Sequence, residues 1–240
     1  MPRFFTHTIT GDLAQIEGPD ASHIALSLRM RRGEELTVCD GEGTDYPGTL
    51  EQITPELVTV RLSGSLPSPG EPKIKITLFQ ALCKGEKMDT IVQKAVELGA
   101  TEIVPLLTRR CVARPDQKGF EKKRQRYAKI ALEAAKQCGR GIVPQVGELI
   151  TLDNLLVRME GFSQAFLFYE QAQRLLGSMK LDGIKKLAVI VGSEGGFDPG
   201  EAELLKQAGA QVLSLGSRIL RCETAPLAAL AAILCLSGEL

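Results

Sequence analysis

Near the C-terminus two short apolar runs each give way to a glycine-rich loop and then to a helical pattern. The first run, Leu187-Ala188-Val189-Ile190-Val191, leads into Gly192-Ser193-Glu194-Gly195-Gly196; the second, Gln211-Val212-Leu213-Ser214-Leu215, leads into Gly216-Ser217-Arg218-Ile219-Leu220-Arg221. An apolar run of strand length without alternation reads as a strand buried on both faces, and parallel strands are joined through crossover helices. Both loops therefore leave the same edge of one sheet. In open α/β sheets ligands bind at that edge, the carboxyl ends of the strands, and glycine lets the main chain approach a ligand with no side chain between. The pair is a candidate cradle for a small molecule, and valine at Gly195 or Gly196 is expected to fill the space the ligand needs.

The same alternation of elements extends back to residue 73. Residues 73–81 alternate as a strand, and Met88, Ile91, Val92, Ala95 and Leu98 form a helical stripe that stops at Gly99. Residues 102–107 read as a strand, followed by the stripe Tyr127, Ile130, Ala131, Ala134 and Cys138, stopped by Gly139. A third strand, 164–169, ends in Tyr169-Glu170, and Asp198-Pro199-Gly200-Glu201 carries a cap, a proline at the first helical position and a carboxylate placed to close a capping box. Strands alternating with helices predict an α/β fold with a mostly parallel sheet. The run 225–236 is apolar on every face but shorter than the ~20 residues a membrane span requires. It reads as a buried helix, with one face for its own sheet and another that needs a further partner.

Before residue 73 the pattern differs. Strand signals at 35–39, 46–53 and 57–62 are separated by turns such as Asp40-Gly41-Glu42-Gly43, with a short helix near 22–30, as in a small β-barrel or sandwich. Leu66-Pro67-Ser68-Pro69-Gly70-Glu71-Pro72 is proline-dense and coincides with a reversal of charge, which places a domain boundary there: 1–72 and 73–240. Residues 1–72 carry 5 Lys and Arg against 11 Asp and Glu, whereas 73–150 carry 16 against 8. The basic excess includes Lys122, Lys123 and Arg126 on one predicted helix, with Arg109, Arg110 and Arg114 upstream. It reads either as an electrostatic footprint for phosphate or as a solvated helix face. The 6 cysteines are scattered without a Cys-x-x-Cys pair, and only His7 and His23 could join them, which argues against structural zinc and fits a reducing cytoplasm. No apolar signal region follows Met1.

The glycine loops match neither the phosphate loop, since no lysine follows, nor a hydrolase elbow, since Ser193 directly follows the first glycine. Taken with Phe166-Leu167-Phe168-Tyr169-Glu170, they resemble the three cofactor loops of the RsmE family, SPOUT-superfamily methyltransferases of N3 of a uridine in 16S ribosomal RNA. Lys84-Gly85-Glu86-Lys87-Met88-Asp89, Gln93-Lys94-Ala95-Val96-Glu97-Leu98-Gly99 and Glu133-Ala134-Ala135-Lys136-Gln137-Cys138 extend the likeness through most of the chain. The resemblance implies a PUA-like β-barrel that binds RNA, a SPOUT-type parallel sheet with a deep C-terminal trefoil knot, S-adenosylmethionine as cofactor without metal, and a homodimer formed through the C-terminal domain. It also places the donor against Leu167, Tyr169 and Glu170 of the first loop. Val191, Gly192, Ser193, Glu194, Gly195 and Gly196 of the second follow, with Leu215, Gly216, Ile219 and Leu220 of the third. Ser193 and Ser217 stand where the family usually has proline, and Ser22-His23 replaces a paired histidine.

A uridine N3–H is a poor nucleophile until its proton leaves and charge spreads to the carbonyl oxygens. Arg218 and Arg221 are positioned in sequence to supply fixed cations for that anion, with a phosphate clamp as the alternative, and Glu194 to accept or relay the proton, with loop bracing as the alternative. Because 1–72 is acidic, RNA binding there must use a local patch drawn from Arg3, Arg29, Arg31 and Arg32, with Lys122, Lys123 and Arg126 adding affinity. A SPOUT enzyme for tRNA or 23S rRNA and a noncatalytic ribosome-assembly protein remain the rival readings.

Overall fold

The computed structural model describes residues 1–240 apart from Gln117. The chain divides into two units: Met1–Glu71 with Ala135–Val143, and Pro72–Ala134 with Pro144–Leu240.

The first unit contains β1 (Arg3–Phe5), β2 (Ile9–Thr10), β3 (Leu13–Glu17), α1 (Gly18–Ser22), β4 (Glu35–Cys39), β5 (Thr44–Ile53), β6 (Leu57–Leu62) and β7 (Leu66–Pro67). Alternation does the folding here. Ala14 and Ile16, Leu36 and Val38, and Val58 and Val60 turn inward at every second position and meet Phe4, Ile24 and Leu50 in one core. The sheet runs β1-β4-β5-β6-β3-β2, antiparallel except for the β1–β4 pair, with β7 added on β5. Its end strands β1 and β2 are joined by residues 6–8 alone, which reach about 14 Å at most. Six strands laid flat would hold those ends about 24 Å apart, so the sheet must curl. The expected helix near 22–30 is instead two short turns. Pro19 starts α1, His23–Ser27 continues it as a π-helical turn, and Arg29 ends the run at φ 52°, a left-handed position uncommon for a side-chain-bearing residue.

Residues 135–143 join this unit through Glu71. Its carboxylate accepts from Arg140 Nη2 at 2.7 Å, from the Gly141 N–H at 2.9 Å and from the Ile142 N–H at 3.0 Å. The Arg140 and Glu71 side chains are only 3% and 15% exposed. Removing one partner of a buried pair leaves the other charge poorly compensated, at a cost of about 3 kcal/mol or more. Glu71→Ala is therefore expected to lower the melting temperature of the first unit by roughly 10 °C or more, whereas a thermal scan within about 2 °C of the parent would show that the pair is dispensable.

The second unit carries β8 (Lys75–Ala81), α2 (Lys87–Glu97), β9 (Ala100–Leu107), most of α3 (Gln117–Cys138), β10 (Gln145–Val146), β11 (Ile150–Thr151), α4 (Leu152–Met159), β12 (Gln164–Phe168), β13 (Lys186–Val191), α5 (Pro199–Gln207), β14 (Gln211–Leu213) and α6 (Thr224–Leu236). The order is β10-β9-β8-β13-β12-β14, with β11 also on β9, and every pair is parallel. Phe79, Val104, Leu167, Ala188 and Ile190 lie in a core that Leu155, Phe197 and Leu205 complete. Asp198 caps α5 with a capping box closed by Glu201. Glu201 is itself buried and accepts the Arg109 N–H at 2.8 Å, which ties the start of α5 to the chain after β9. α6 returns from the edge strand β14 to pack on β13, α2 and the 3-10 turn Leu176–Ser178. It buries Pro226, Ala229, Leu230, Ile233 and Leu234 and leaves Leu236 42% exposed. Among the described residues, no helix is long and apolar enough to cross a membrane.

Candidate active site at the carboxyl ends of three strands

Strands β12, β13 and β14 all end on one side of the sheet because they are parallel, and the three loops that follow them enclose a cavity of about 530 Å³. That volume falls in the range of small-molecule sites. Phe168, Tyr169 and Glu170 come from the first loop, Val191 to Phe197 from the second, and Leu213 to Cys222 from the third, with Ala225 at the start of α6.

The second loop is a tight reversal. The Gly196 N–H donates to the Ser193 carbonyl at 3.0 Å, and Gly196 holds φ +65°, a left-handed conformation that glycine adopts without strain. A Cβ built on Gly192 would stand 3.1 Å from Gly196 Cα, so a side chain there would push the backbone of the reversal apart by a few tenths of an ångström. From β8, Gln80 Nε2 donates to the Gly192 carbonyl at 3.1 Å and fixes the loop from below. From the chain after β9, Arg110 Nη1 donates to the Gly195 carbonyl at 3.1 Å.

Two hydroxyls on the cavity wall have no partner. The Tyr169 hydroxyl and the Ser193 hydroxyl are buried and make no hydrogen bond within the described residues. Buried polar atoms are normally satisfied, and leaving one unmade costs about 1–3 kcal/mol. Both belong to residues that line the cavity, where bare main chain and unpaired polar atoms suit a ligand with polar groups.

Arg218 and Arg221 line the cavity and are exposed, and neither guanidinium has an ion-pair partner among the described residues. Ile219 between them is 87% exposed at the cavity mouth. Glu194 is different. Its Oε1 accepts the Lys84 N–H at 3.1 Å and faces Lys87 Nζ at 3.1 Å. Partial burial works to raise its pKa, but hydrogen bonds from backbone N–H groups and from Lys87 outweigh that and hold the carboxyl below its ordinary value. A carboxyl so held is poorly matched to a general base working near neutrality, so bracing is the role its surroundings favour.

Several expected residues lie elsewhere. Leu167 is fully buried in the sheet core rather than on the cavity wall, because its side chain points to the opposite face of β12 from that of Phe168, which does line the cavity. Arg3 is not a free cation. Its guanidinium is 14% exposed and pairs with Asp45, with Nη1 donating to the Gly139 carbonyl. Arg29, Arg31 and Arg32 are exposed without an ion pair among the described residues. On α3, Lys122 is exposed and Lys123 half-buried, while Arg126 pairs with Asp89. The structure thus keeps Arg29, Arg31, Arg32, Lys122 and Lys123 as candidates for phosphate and withdraws Arg3.

One grouping escaped the sequence altogether. One ligand atom from each of Cys83, Glu194 and Cys222 lies within 4.8 Å of the others, although Cys83 is more than a hundred positions from the other two in the chain. Such a set can hold a soft metal in principle, but thiolates are required. Burial pushes both thiols up, and the Lys87 ammonium already stands 3.6 Å from Cys222 Sγ. The cluster has the character of a charge-compensated network. Spacing in the sequence offers no signal for it.

Residues 70–234 match a family described as an RNA methyltransferase domain, and residues 16–63 one described as an RNA methyltransferase PUA domain. The chain is 34% identical over 225 residues to ribosomal RNA small subunit methyltransferase E of Bacillus subtilis (strain 168), covering 91% of this chain and 88% of that one. It is 31% identical to the protein of the same name from Mesomycoplasma hyopneumoniae (strain 232), covering 94% and 95%. Among solved structures, ribosomal RNA small subunit methyltransferase E from Neisseria gonorrhoeae bound to S-adenosyl methionine aligns with a TM-score of 0.86 at 31% identity, over 98% of each chain.

Proposed function

We propose, because this chain belongs to the ribosomal RNA small subunit methyltransferase E family, that it transfers a methyl group from S-adenosylmethionine to N3 of a uridine in 16S ribosomal RNA. The observation that carries the reading is the cavity walled by three loops, two of whose lining residues, Tyr169 and Ser193, hold buried hydroxyls without a partner among the described residues. When bound, the sulfonium donor supplies an electrophilic methyl group. The glycine loop presents main chain to it, Tyr169 and Ser193 offer their unpaired hydroxyls, and Glu170 stands beside Gly196. Arg221 and Arg218 supply fixed positive charge beside the cavity, where negative charge develops on the uracil oxygens as N3 loses its proton. Glu194 holds the second loop in place rather than taking that proton.

We read residues 1–72 as the RNA-gripping part and 73–240 as the transferase. Exposed Arg29, Arg31 and Arg32, with Lys122 and Lys123, make the sequence-independent phosphate contacts. Two finer features belong to the same reading. The return of α6 from edge strand β14 to β13, together with the hydrogen bonds of Ser214 to Arg174 and Leu176 in the segment after β12, supports a chain threaded as a trefoil knot. The apolar surface of α6, with Leu236 left 42% exposed, supports a homodimer, which light scattering at micromolar concentration checks.

Labelled methyl transfer tests the function. Label on 16S RNA of purified small subunits is the expected result. Label on tRNA or 23S RNA would make this an enzyme for another RNA. Binding to small subunits with no label anywhere would make it a noncatalytic assembly protein.

A further inference from the structure

Lys87 lies outside all three cavity loops, yet it touches two of them. It begins α2, and its Nζ is 3.1 Å from Glu194 Oε1, 3.4 Å from Glu223 Oε2 and 3.6 Å from Cys222 Sγ. An ammonium has three donors and no acceptor, so these three groups saturate it. Glu194 belongs to the loop after β13, whereas Cys222 and Glu223 directly follow Arg221 in the loop after β14. Among the described residues no hydrogen bond or ion pair joins those loops directly at this point; the lysine bridges them.

The surrounding segment holds the second loop as well. Gln80 donates to the Gly192 carbonyl and the Lys84 N–H to Glu194, so the end of β8 and the start of α2 grip that loop at successive points. On the other side, the Arg221 carbonyl accepts the N–H groups of Thr224 and Ala225 at 2.8 and 2.9 Å. The backbone of Arg221 is thereby tied to the turn that carries Glu223, and fixing Glu223 fixes where Arg221 begins. The side chains of Lys87, Glu194 and Glu223 are each about a third exposed, at 33%, 29% and 33%. The network is partly shielded from water, unlike an isolated surface pair.

We propose that Lys87 is a positioning residue for the methyl transfer, holding the second and third loops at a fixed separation so that donor binding and the placement of Arg221 both depend on it. The inference rests on the methyltransferase reading above. The charged and titratable groups facing the lysine are Glu194, Glu223, Cys222 and, behind them, Cys83. Burial pushes both thiols up, which leaves them neutral; the two carboxyls are held below their ordinary values, Glu223 chiefly by its own backbone N–H, with Lys87 adding to the effect at both. A carboxyl with a lowered pKa keeps its contribution above its ordinary pKa and loses it as pH falls through the lowered value. Without the lysine, Glu194 protonates at higher pH, because burial is less opposed.

Titration calorimetry with S-adenosylhomocysteine tests this on the full chain, from mildly acid to neutral pH, for the parent, Lys87→Met and Lys87→Arg. Lys87→Met is expected to bind roughly three- to tenfold more weakly at neutral pH and to lose affinity on the acid side at a higher pH than the parent. Lys87→Arg should recover most of the affinity and the parent's pH dependence. Single-turnover methylation at saturating donor should also fall in Lys87→Met. Parent-like affinity and pH dependence in Lys87→Met would overturn the proposal, as would a pH-independent loss that arginine fails to rescue. If Lys87→Met does not fold, Glu194→Gln and Glu223→Gln test each arm separately, and unchanged donor affinity in both overturns the clamp. A parent protein that binds no S-adenosylhomocysteine would instead overturn the methyltransferase reading itself.

Discussion

Gly196→Val is expected to weaken S-adenosylhomocysteine binding by roughly a hundredfold while leaving the fold intact. Two separate costs act at this position. The residue sits at φ +65°, where a β-branched side chain is strained by about 1–3 kcal/mol. A Cβ there would also lie 3.0 Å from both carboxylate oxygens of Glu170, on the rim of the same cavity. The exposed Glu170 carboxylate can swing aside, but doing so disturbs the cavity rim, and relieving the backbone strain requires the second loop to change course; the strain alone, at up to roughly 3 kcal/mol, corresponds to as much as about two orders of magnitude in affinity. Gly195→Val is a different experiment. The space a Cβ would take there is occupied by Arg110 Cβ at 3.0 Å and the Arg110 carbonyl at 3.2 Å, so its effect is transmitted through the chain after β9, and the expectation that it meets the ligand directly is corrected. Circular dichroism should show both variants folded; donor binding by Gly196→Val at the parent's affinity would mean that the second loop does not contact the donor.

Arg221→Ala is expected to lower the single-turnover rate at saturating RNA and donor by roughly a hundredfold, with a smaller change in RNA affinity. The guanidinium lines the cavity and has no ion-pair partner to neutralise it among the described residues. A fixed cation that meets charge developing only as the methyl group moves contributes to the rate more than to ground-state binding, and removing one such donor typically costs about 2.7–4 kcal/mol. Arg218→Ala provides the comparison, since Arg218 shares the cavity wall. A rate that returns to the parent value for Arg221→Ala once RNA is saturating would make Arg221 a phosphate clamp, and the charge-stabilising role would pass to Arg218.

Both experiments concern residues legible in the sequence, for a local reason. A strand buried on both faces declares itself by an unbroken apolar run, as at 187–191, and the loop after it by its glycines. Asp198, Pro199 and Glu201 likewise announce the start of α5, because a cap acts within one turn of its own helix. In the first unit, β4 and β6 follow the alternation of their own residues. The helix expected near 22–30 fails for the complementary reason. Its propensity signals are weak, and packing of Ala21 and Ile24 into the curled sheet decides a short α-turn followed by a π-turn.

Side-chain direction and long-range pairing were decided elsewhere. Leu167 sits in a segment that the sequence correctly places at the cavity, but strand alternation turns it into the core and leaves Phe168 to face outward. Arg3 reads as one more surface cation until Asp45, Ser68 and the Gly139 carbonyl are brought around it. Lys87 reads as an ordinary charge at the start of a helix, and only the parallel order β8-β13-β12-β14 places that helix start beside two loops more than a hundred residues away. The sequence by itself determined the longer strands and helices of the second unit, the strands β4 to β6 of the first, the glycine loops and the edge of the sheet they share, because these depend on interactions within a few residues. Which cations are free and which are bound, which hydroxyls lack a partner, and which lysine joins the loops depend on contacts between distant segments, and the tertiary structure alone decided them.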